Sequence, residues 1–168
     1  MRESGYGQQR TISQHTSAIW RIVVPSAEIN EITQREWREL GYFYDRDDAA
    51  REWKLMGSRA GLRNFSIALQ AYALDMRNES LSEHEHFGPY GYLEIGTWTT
   101  PEITEHWIAG SLGEIHQLGL TIQAHLDFVP IGECFRLRAT FAPRSPYELV
   151  LEVQANSFDP AKADAYCW

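Results

Sequence analysis

The segment FRLRATFAPRSPYELVLEVQA, residues 135–155, decides the fold class of this chain. Apolar and polar side chains alternate along both of its arms, which is typical of strands with one buried face. A proline-bounded connection joins the arms, so the pattern predicts an antiparallel hairpin. On its polar side we expect Arg136 and Arg138 to pair with Glu152 and Gln154. We expect its buried side to consist of Phe135, Leu137, Leu149, Leu151 and Val153.

Apolar side chains at helical spacing predict three helices before this hairpin. Residues 27–40 carry such a pattern and end at Gly41, a common helix stop. A longer stripe follows Ser58 and consists of Leu62, Phe65, Leu69, Tyr72 or Ala73, and Met76. The third helix begins with the capping-box pair Ser111 and Glu114. Its stripe consists of Leu112, Ile115, Leu118, Ile122 and Leu126.

Further strands are predicted between these helices. The β-branched and apolar run at residues 18–24 and the aromatic-rich run at residues 90–98 are both typical of strands. Residues 45–57 fit either a helix or a hairpin. We favour the hairpin, with strands at 42–44 and 52–56, because a helix begins directly afterwards. No internal repeat is evident in the sequence.

Together these elements predict one α+β domain over residues 18–168, preceded by a loose polar arm at residues 1–17. We expect an antiparallel or mixed sheet with two or three helices on one face, ending in the C-terminal hairpin. The chain has 168 residues, of which 43% are hydrophobic, enough for a single core.

Composition narrows the classes of function. The net charge of −8 argues against direct binding to nucleic acid, because phosphates require a basic surface. No apolar run approaches the roughly 20 residues that span a bilayer. The start of the chain has no apolar core typical of a signal peptide, so we expect a cytoplasmic protein that does not bind membranes. Cys134 and Cys167 match no disulfide framework or zinc spacing.

The negative charge is concentrated in the middle third of the chain. Residues 78–135 contain nine acidic residues, five of the six histidines, and no lysine or arginine. The flanking residues are nearly balanced in charge. Such a layout is typical of a solvated face, but it also creates an acidic field that attracts a basic partner.

The stretch SEHEHFGPYGYLEIGTW, residues 82–98, is the centre of this acidic region. Trp98 and Trp107 flank the acidic loop that follows, and tryptophan is frequent at protein-binding hot spots. We therefore predict a non-enzymatic module that binds a basic protein and needs no cofactor. The predicted binding surface consists of Glu83, His84, Glu85, His86, Glu102, Glu105, His106 and Trp107.

The alternative is a small metal-dependent or acid–base enzyme that uses His84, His86 and Glu94. Two histidines separated by one residue in a strand point to the same side, and imidazole is a common metal ligand. However, the sequence contains no nucleophile motif and no glycine-rich phosphate loop. No catalytic residue is predicted.

Three segments carry a resemblance to a known group of proteins: WRELGYFYDRDDAAREWKLMGSRAGL, SEHEHFGPYGYLEIGTW and PEITEHWIAGSLGEIHQLGL. They resemble a family of small uncharacterised bacterial proteins, and the likeness covers a little over half of the chain. In its general character the chain also resembles the immunity proteins of bacterial polymorphic toxin systems. Those are small, acidic, aromatic-rich α+β proteins that bind and block a toxin domain, so the resemblance implies a basic toxin as partner.

Overall fold

The computed structural model describes residues 26–167, which fold into helices and two four-stranded sheets. The α+β class is confirmed. Buried side chains from both sheets and from the three long helices form one hydrophobic core. The predicted arm at residues 1–17 and the predicted strand at 18–24 lie outside the described residues.

The helices are α1 (Ala27–Leu40), α2 (Arg59–Leu74), α3 (Leu112–Phe128), α4 (Arg138–Phe141) and α5 (Pro160–Ala163), with a 3-10 turn at Met76–Glu79. The strands are β1 (Tyr42–Asp47), β2 (Glu52–Ser58), β3 (His84–Phe87), β4 (Leu93–Thr97), β5 (Glu102–Ile103), β6 (Trp107–Gly110), β7 (Cys134–Arg136) and β8 (Glu148–Gln154). The predicted helix at 27–40 and the hairpin favoured at 42–56 are therefore confirmed. None of the described helices is long and apolar enough to cross a membrane.

The two sheets have the same internal arrangement. Sheet A has the strand order β1-β2-β8-β7, and sheet B has the order β3-β4-β6-β5. In each sheet the central pair is parallel, and each outer strand pairs with its neighbour as an antiparallel hairpin. The sheets are therefore mixed, as expected, but there are two of them.

This arrangement reveals a repeat that the sequence does not make evident. The first half is hairpin β1-β2, helix α2 and hairpin β3-β4, and the second half is hairpin β5-β6, helix α3 and hairpin β7-β8. Each half contributes one hairpin to each sheet, so the halves exchange hairpins. The two helices also match in sequence, because each begins at a glycine–serine pair and then buries an apolar side chain at the same positions. The matching pairs are Gly57 and Gly110, Ser58 and Ser111, Leu62 and Ile115, Phe65 and Leu118, and Leu69 and Ile122.

Helices α2 and α3 pack directly against each other at the centre of the molecule. The Ser66 hydroxyl donates a buried hydrogen bond of 2.8 Å to the Gly119 carbonyl. A Cβ at Gly119 would lie 2.9 Å from the Ser66 carbonyl oxygen, so only glycine permits this approach. The helix-weakening Gly119 is thus explained by close helix packing.

The C-terminal hairpin is present, with a shorter first arm than the sequence predicts. All five side chains predicted on its buried side are buried. Strand β7 stops at Arg136, and the Glu148 carboxylate accepts hydrogen bonds from the backbone N–H groups of Leu137 and Arg138 where the chain turns into α4. The predicted pairing of Arg136 with Glu152 is wrong. In the observed register Arg136 faces Val150, and its guanidinium reaches across β8 to Glu52 at 3.1 Å.

Candidate functional site

The predicted binding residues lie on sheet B, and several of them share its outer face. The register places His86 opposite Glu94 and Glu94 opposite Trp107, so three strands project these side chains to one side. The alternate residues of β4 and β6, such as Ile95 and Ile108, are fully buried beneath the sheet. We define the outer face of sheet B as His84, His86, Glu94, Gly96, Trp98, Glu102 and Trp107.

Two half-buried tryptophans form the apolar centre of this face. The Trp98 and Trp107 ring centroids lie 5.6 Å apart. The indole Nε1 of Trp107 donates a hydrogen bond of 2.5 Å to Glu102 Oε1, which fixes the ring across the sheet. A Cβ at Gly96 would lie 2.5 Å from the Trp107 ring, so the glycine in this strand makes room for the indole.

The two histidines and Glu94 form a cluster beside the tryptophans. His84 Nδ1 lies 2.9 Å from the Ser82 carbonyl oxygen, and His86 Nδ1 lies 2.5 Å from the Gly91 carbonyl oxygen. A proton on each Nδ1 satisfies these carbonyls and leaves Nε2 with a free lone pair. His86 Nδ1 also lies 3.6 Å from Glu94 Oε1. One potential ligand atom from each of the three residues lies within 4.8 Å of the others, as the alternative prediction requires.

Glu83 and Glu85 lie at the free edge of sheet B, on the other side of β3 from the histidines. The Glu83 carbonyl accepts hydrogen bonds from the Thr97 N–H and the Tyr72 hydroxyl, which secures the backbone here. Both carboxylates are exposed. The pKa of Tyr72 is raised, mainly by burial, and the charges of Glu85 and Glu83 add to the rise. The β3 edge therefore presents two exposed carboxylates.

Glu105 and His106 lie at the opposite side of sheet B, in the turn between β5 and β6. Both are exposed, and Glu105 Oε1 lies 3.6 Å from His106 Nε2. The Glu105 carbonyl accepts a hydrogen bond from the Arg46 guanidinium. The structure thus divides the predicted surface into the β3 edge, the outer face and this turn, and it does not bring His106 into the histidine cluster.

The carboxylates of this surface have no lysine or arginine partner within residues 26–167. Of the nine acidic residues in the middle third, only Asp127 forms an ion pair with a guanidinium, that of Arg63. The other guanidinium and ammonium pairs involve carboxylates outside that stretch, as in Arg38–Asp159 at 2.9 Å and Arg136–Glu52 at 3.1 Å. The carboxylates of sheet B are therefore not paired with a cation in the described residues, and Arg46 and Arg77 act on Glu105 and Glu85 only without forming an ion pair.

No protein-family model, curated protein or solved structure matches this chain. The resemblance to immunity proteins accordingly stays a prediction.

A second cluster surrounds Asp164, a residue that no sequence pattern singles out. Its carboxylate is buried and accepts hydrogen bonds from Trp37, Tyr90 and Cys167. Trp37 and Tyr90 are distant from Asp164 in the sequence, and a lone aspartate in an irregular segment carries no motif. Only the tertiary fold assembles this cluster.

Proposed function

We propose that this protein binds a basic protein partner through sheet B, in the manner of an immunity protein that blocks a basic toxin. The observation that carries the proposal is the combination of a half-buried tryptophan pair with surrounding carboxylates that lack a lysine or arginine partner in residues 26–167. Tryptophan anchors supply binding energy at interface centres, and surrounding charges supply orientation and speed of encounter.

The geometry of the outer face suits an interface. The Trp107 indole is held in place by Glu102 and by the absence of a side chain at Gly96, so little side-chain entropy remains to be lost on binding. Glu83 and Glu85 at the β3 edge and Glu105 in the β5–β6 turn lie at exposed positions at the two sides of sheet B. Charges at such positions act mainly on the association rate.

Reversing four carboxylates should slow association with the partner. The variant Glu83→Lys, Glu85→Lys, Glu102→Lys, Glu105→Lys is expected to associate about 10-fold more slowly or worse at low salt, because steering by the acidic field is lost. The wild-type rate should fall with added salt, since the screening length shrinks from about 10 Å at 0.1 M to about 3 Å at 1 M.

A matched control carries the same change in net charge on helix α1, with Glu28, Glu31, Glu36 and Glu39 changed to lysine, all at exposed positions. The wild type and both variants would first serve as baits for quantitative capture from cell extract. Association kinetics would then be measured with the captured protein after purification. The proposal fails if the captured partner associates equally fast with the sheet B variant and is indifferent to salt.

A divalent-metal site is the second candidate, and the geometry of His84, His86 and Glu94 favours it. Two imidazoles and one carboxylate form the ligand set of many catalytic metal centres, which keep open positions for water or substrate. Ligand atoms around a tetrahedral zinc ion lie about 3.4 Å apart, given bond lengths near 2.1 Å. The cluster would therefore need to contract from its present span of up to 4.8 Å.

Elemental analysis distinguishes this candidate from the binding module. For the binding module we expect no stoichiometric zinc, iron or manganese in the purified protein. One metal ion per chain, lost in His84→Ala/His86→Ala and kept in the control His106→Ala/His116→Ala, would instead favour the enzyme. If the ion is lost during purification, zinc is titrated into the wild type and both double variants, and calorimetry measures its binding.

A further inference from the structure

A pocket of about 440 Å³ opens beside the outer surface of sheet A. Strands β1 and β2, the loop between β3 and β4, and the turn after α5 line it. Three tyrosines line this pocket and remain partly exposed: Tyr90 at 45%, Tyr92 at 39% and Tyr166 at 78%. Exposed aromatic surface of this extent around a concave site is a marker of binding.

The tyrosine wall is rigid because its rings pack on the aromatic core. Tyr90 and Tyr92 stack with ring centroids 6.0 Å apart and planes 12° apart. Behind them, Tyr92 meets Tyr44 at 5.1 Å, and Tyr90 meets Trp37 at 6.1 Å, both edge to face. The pocket therefore has a preformed aromatic side.

Asp164 forms the floor of the pocket and is only 1% exposed. Its Oδ2 accepts hydrogen bonds from Trp37 Nε1 at 2.7 Å, the Tyr90 hydroxyl at 2.8 Å and the Cys167 thiol at 3.0 Å. Its Oδ1 accepts one from the Tyr166 N–H at 2.9 Å. All four donors are neutral, and no lysine or arginine within residues 26–167 forms an ion pair with Asp164. A buried carboxylate without a counter-ion is unusual in proteins.

This carboxylate is ionised at neutral pH. Burial raises the pKa of Asp164, but the hydrogen bonds from Cys167, Tyr166, Trp37 and Tyr90 outweigh burial and leave the pKa below its ordinary value. The negative charge of Asp164 also acts on the Tyr92 hydroxyl in the wall of the pocket. Burial raises the pKa of Tyr92 to about 12, and the charges of Asp45 and Asp164 contribute to that rise.

Further carboxylates surround the opening of the pocket. Asp45 and Asp47 accept hydrogen bonds from backbone N–H groups and form no ion pair with a lysine or arginine of the described chain. The lysine that lines the pocket, Lys54, stands opposite Asp45 across the β1–β2 pair, but its ammonium is paired with Glu152. The pocket therefore combines aromatic faces with carboxylates, Asp45, Asp47 and Asp164, that form no ion pair with a lysine or arginine of residues 26–167.

We propose that this pocket binds an organic cation, an alkylammonium or guanidinium group that sits against Tyr90 and Tyr92 and neutralises Asp45 and Asp164. Aromatic faces attract such cations through their ring quadrupole, most strongly where water is excluded. The carboxylates form charge-assisted hydrogen bonds or ion pairs with a cation, and a neutral ligand cannot form these. The cation is either a small free molecule or the side chain of a protein, and both sources present the same chemistry.

The test compares charged probes with a neutral probe of the same shape. Choline and its uncharged isostere 3,3-dimethylbutanol are titrated against the full chain by calorimetry and by amide chemical shifts. Acetylated tripeptides with a central arginine or lysine represent the protein source. We expect a charged probe to bind about 10-fold or more tightly than 3,3-dimethylbutanol, and the shifts to map to the pocket.

Substitutions then assign the contacts. Asp164→Asn, Asp45→Asn and Tyr92→Leu should each weaken binding of the charged probe by about tenfold, whereas Glu133→Gln, an exposed acid outside the pocket, should leave it unchanged. Asp45→Asn alters an exposed side chain, so it remains a valid test if Asp164→Asn does not fold. Tighter binding of the tripeptides than of choline identifies a protein side chain as the source, and the reverse identifies a free molecule.

The proposal is overturned if the neutral isostere binds as well as every charged probe, or if no probe shifts the pocket resonances at millimolar concentration. It is equally overturned if Asp45→Asn and Tyr92→Leu both leave binding unchanged. None of the four glutamates reversed on sheet B lines the pocket, so each proposal can fail without the other.

Discussion

Replacing Gly61 with alanine is expected to lower the free energy of unfolding by about 3 kcal/mol, at the upper end of the usual cost of overpacking. Gly61 lies in the first turn of α2, where its Cα faces the end of α1. A Cβ there would lie 2.8 Å from the Gly41 carbonyl carbon and closer still to its oxygen. These are backbone atoms, so no change of rotamer relieves the clash.

The neighbouring backbone has little freedom to move away. Gly41 ends α1 in the left-handed conformation at φ +88°, and its N–H donates to the Trp37 carbonyl at 3.0 Å. A shift of Gly41 would therefore disturb the helix end and the fully buried Trp37. The loss of stability therefore comes from the contact between α1 and α2, and not from a single side chain.

Gly113→Ala is the control, because Gly113 lies in the first turn of α3, the equivalent helix of the second half. A Cβ at Gly113 would meet nothing within 4 Å. We expect this substitution to raise the free energy of unfolding by up to about 1 kcal/mol, since alanine is the better helix former. Urea unfolding of both variants measures the two effects. Changes of equal sign and size would contradict the close approach of Gly61 to Gly41.

Leu151→Ala is expected to lower the free energy of unfolding by about 2–5 kcal/mol, the range for a buried leucine. Leu151 is fully buried on the interior strand β8. The register places it opposite Leu55 on β2 and Phe135 on β7, so the cavity would open at the centre of sheet A. Neighbours on both sides are held by strand pairing and cannot collapse into the space.

Leu120→Ala removes the same atoms from a side chain that is 39% exposed on α3. Because surface substitutions usually change stability by about 0.5 kcal/mol or less, the two leucines should differ clearly in thermal and urea unfolding. Equal losses at Leu151 and Leu120 would show that sheet A is not packed as described.

Local signals predicted the helices and failed to predict how the strands associate. The helix at 27–40 and the capping box at Ser111 follow from residue spacing and hydrogen-bonding chemistry within one turn. Strand alternation, by contrast, identifies a buried face but not a partner. The parallel pairing of β2 with β8 joins segments from opposite ends of the domain, and no local pattern encodes it.

The two side-chain clusters also differ in whether the sequence predicts them. His84, His86 and Glu94 could be grouped from the sequence because two of them alternate on one strand and the third lies on the next. Asp164 could not, since its partners come from helix α1 and from the loop before β4. The pairing predicted for Arg136 failed because the observed register places Arg136 opposite Val150 and Cys134 opposite Glu152, and alternation does not fix the register.

The exchange of hairpins between the two halves also constrains synthesis on the ribosome. When the first half has emerged, the inner edges of β2 and β4 are still unpaired, because their parallel partners β8 and β6 belong to the second half. Sheet B can close once Gly110 has been made, whereas sheet A must wait for Gln154. Exposed strand edges are templates for pairing between chains, so the nascent protein is most prone to aggregate during this interval.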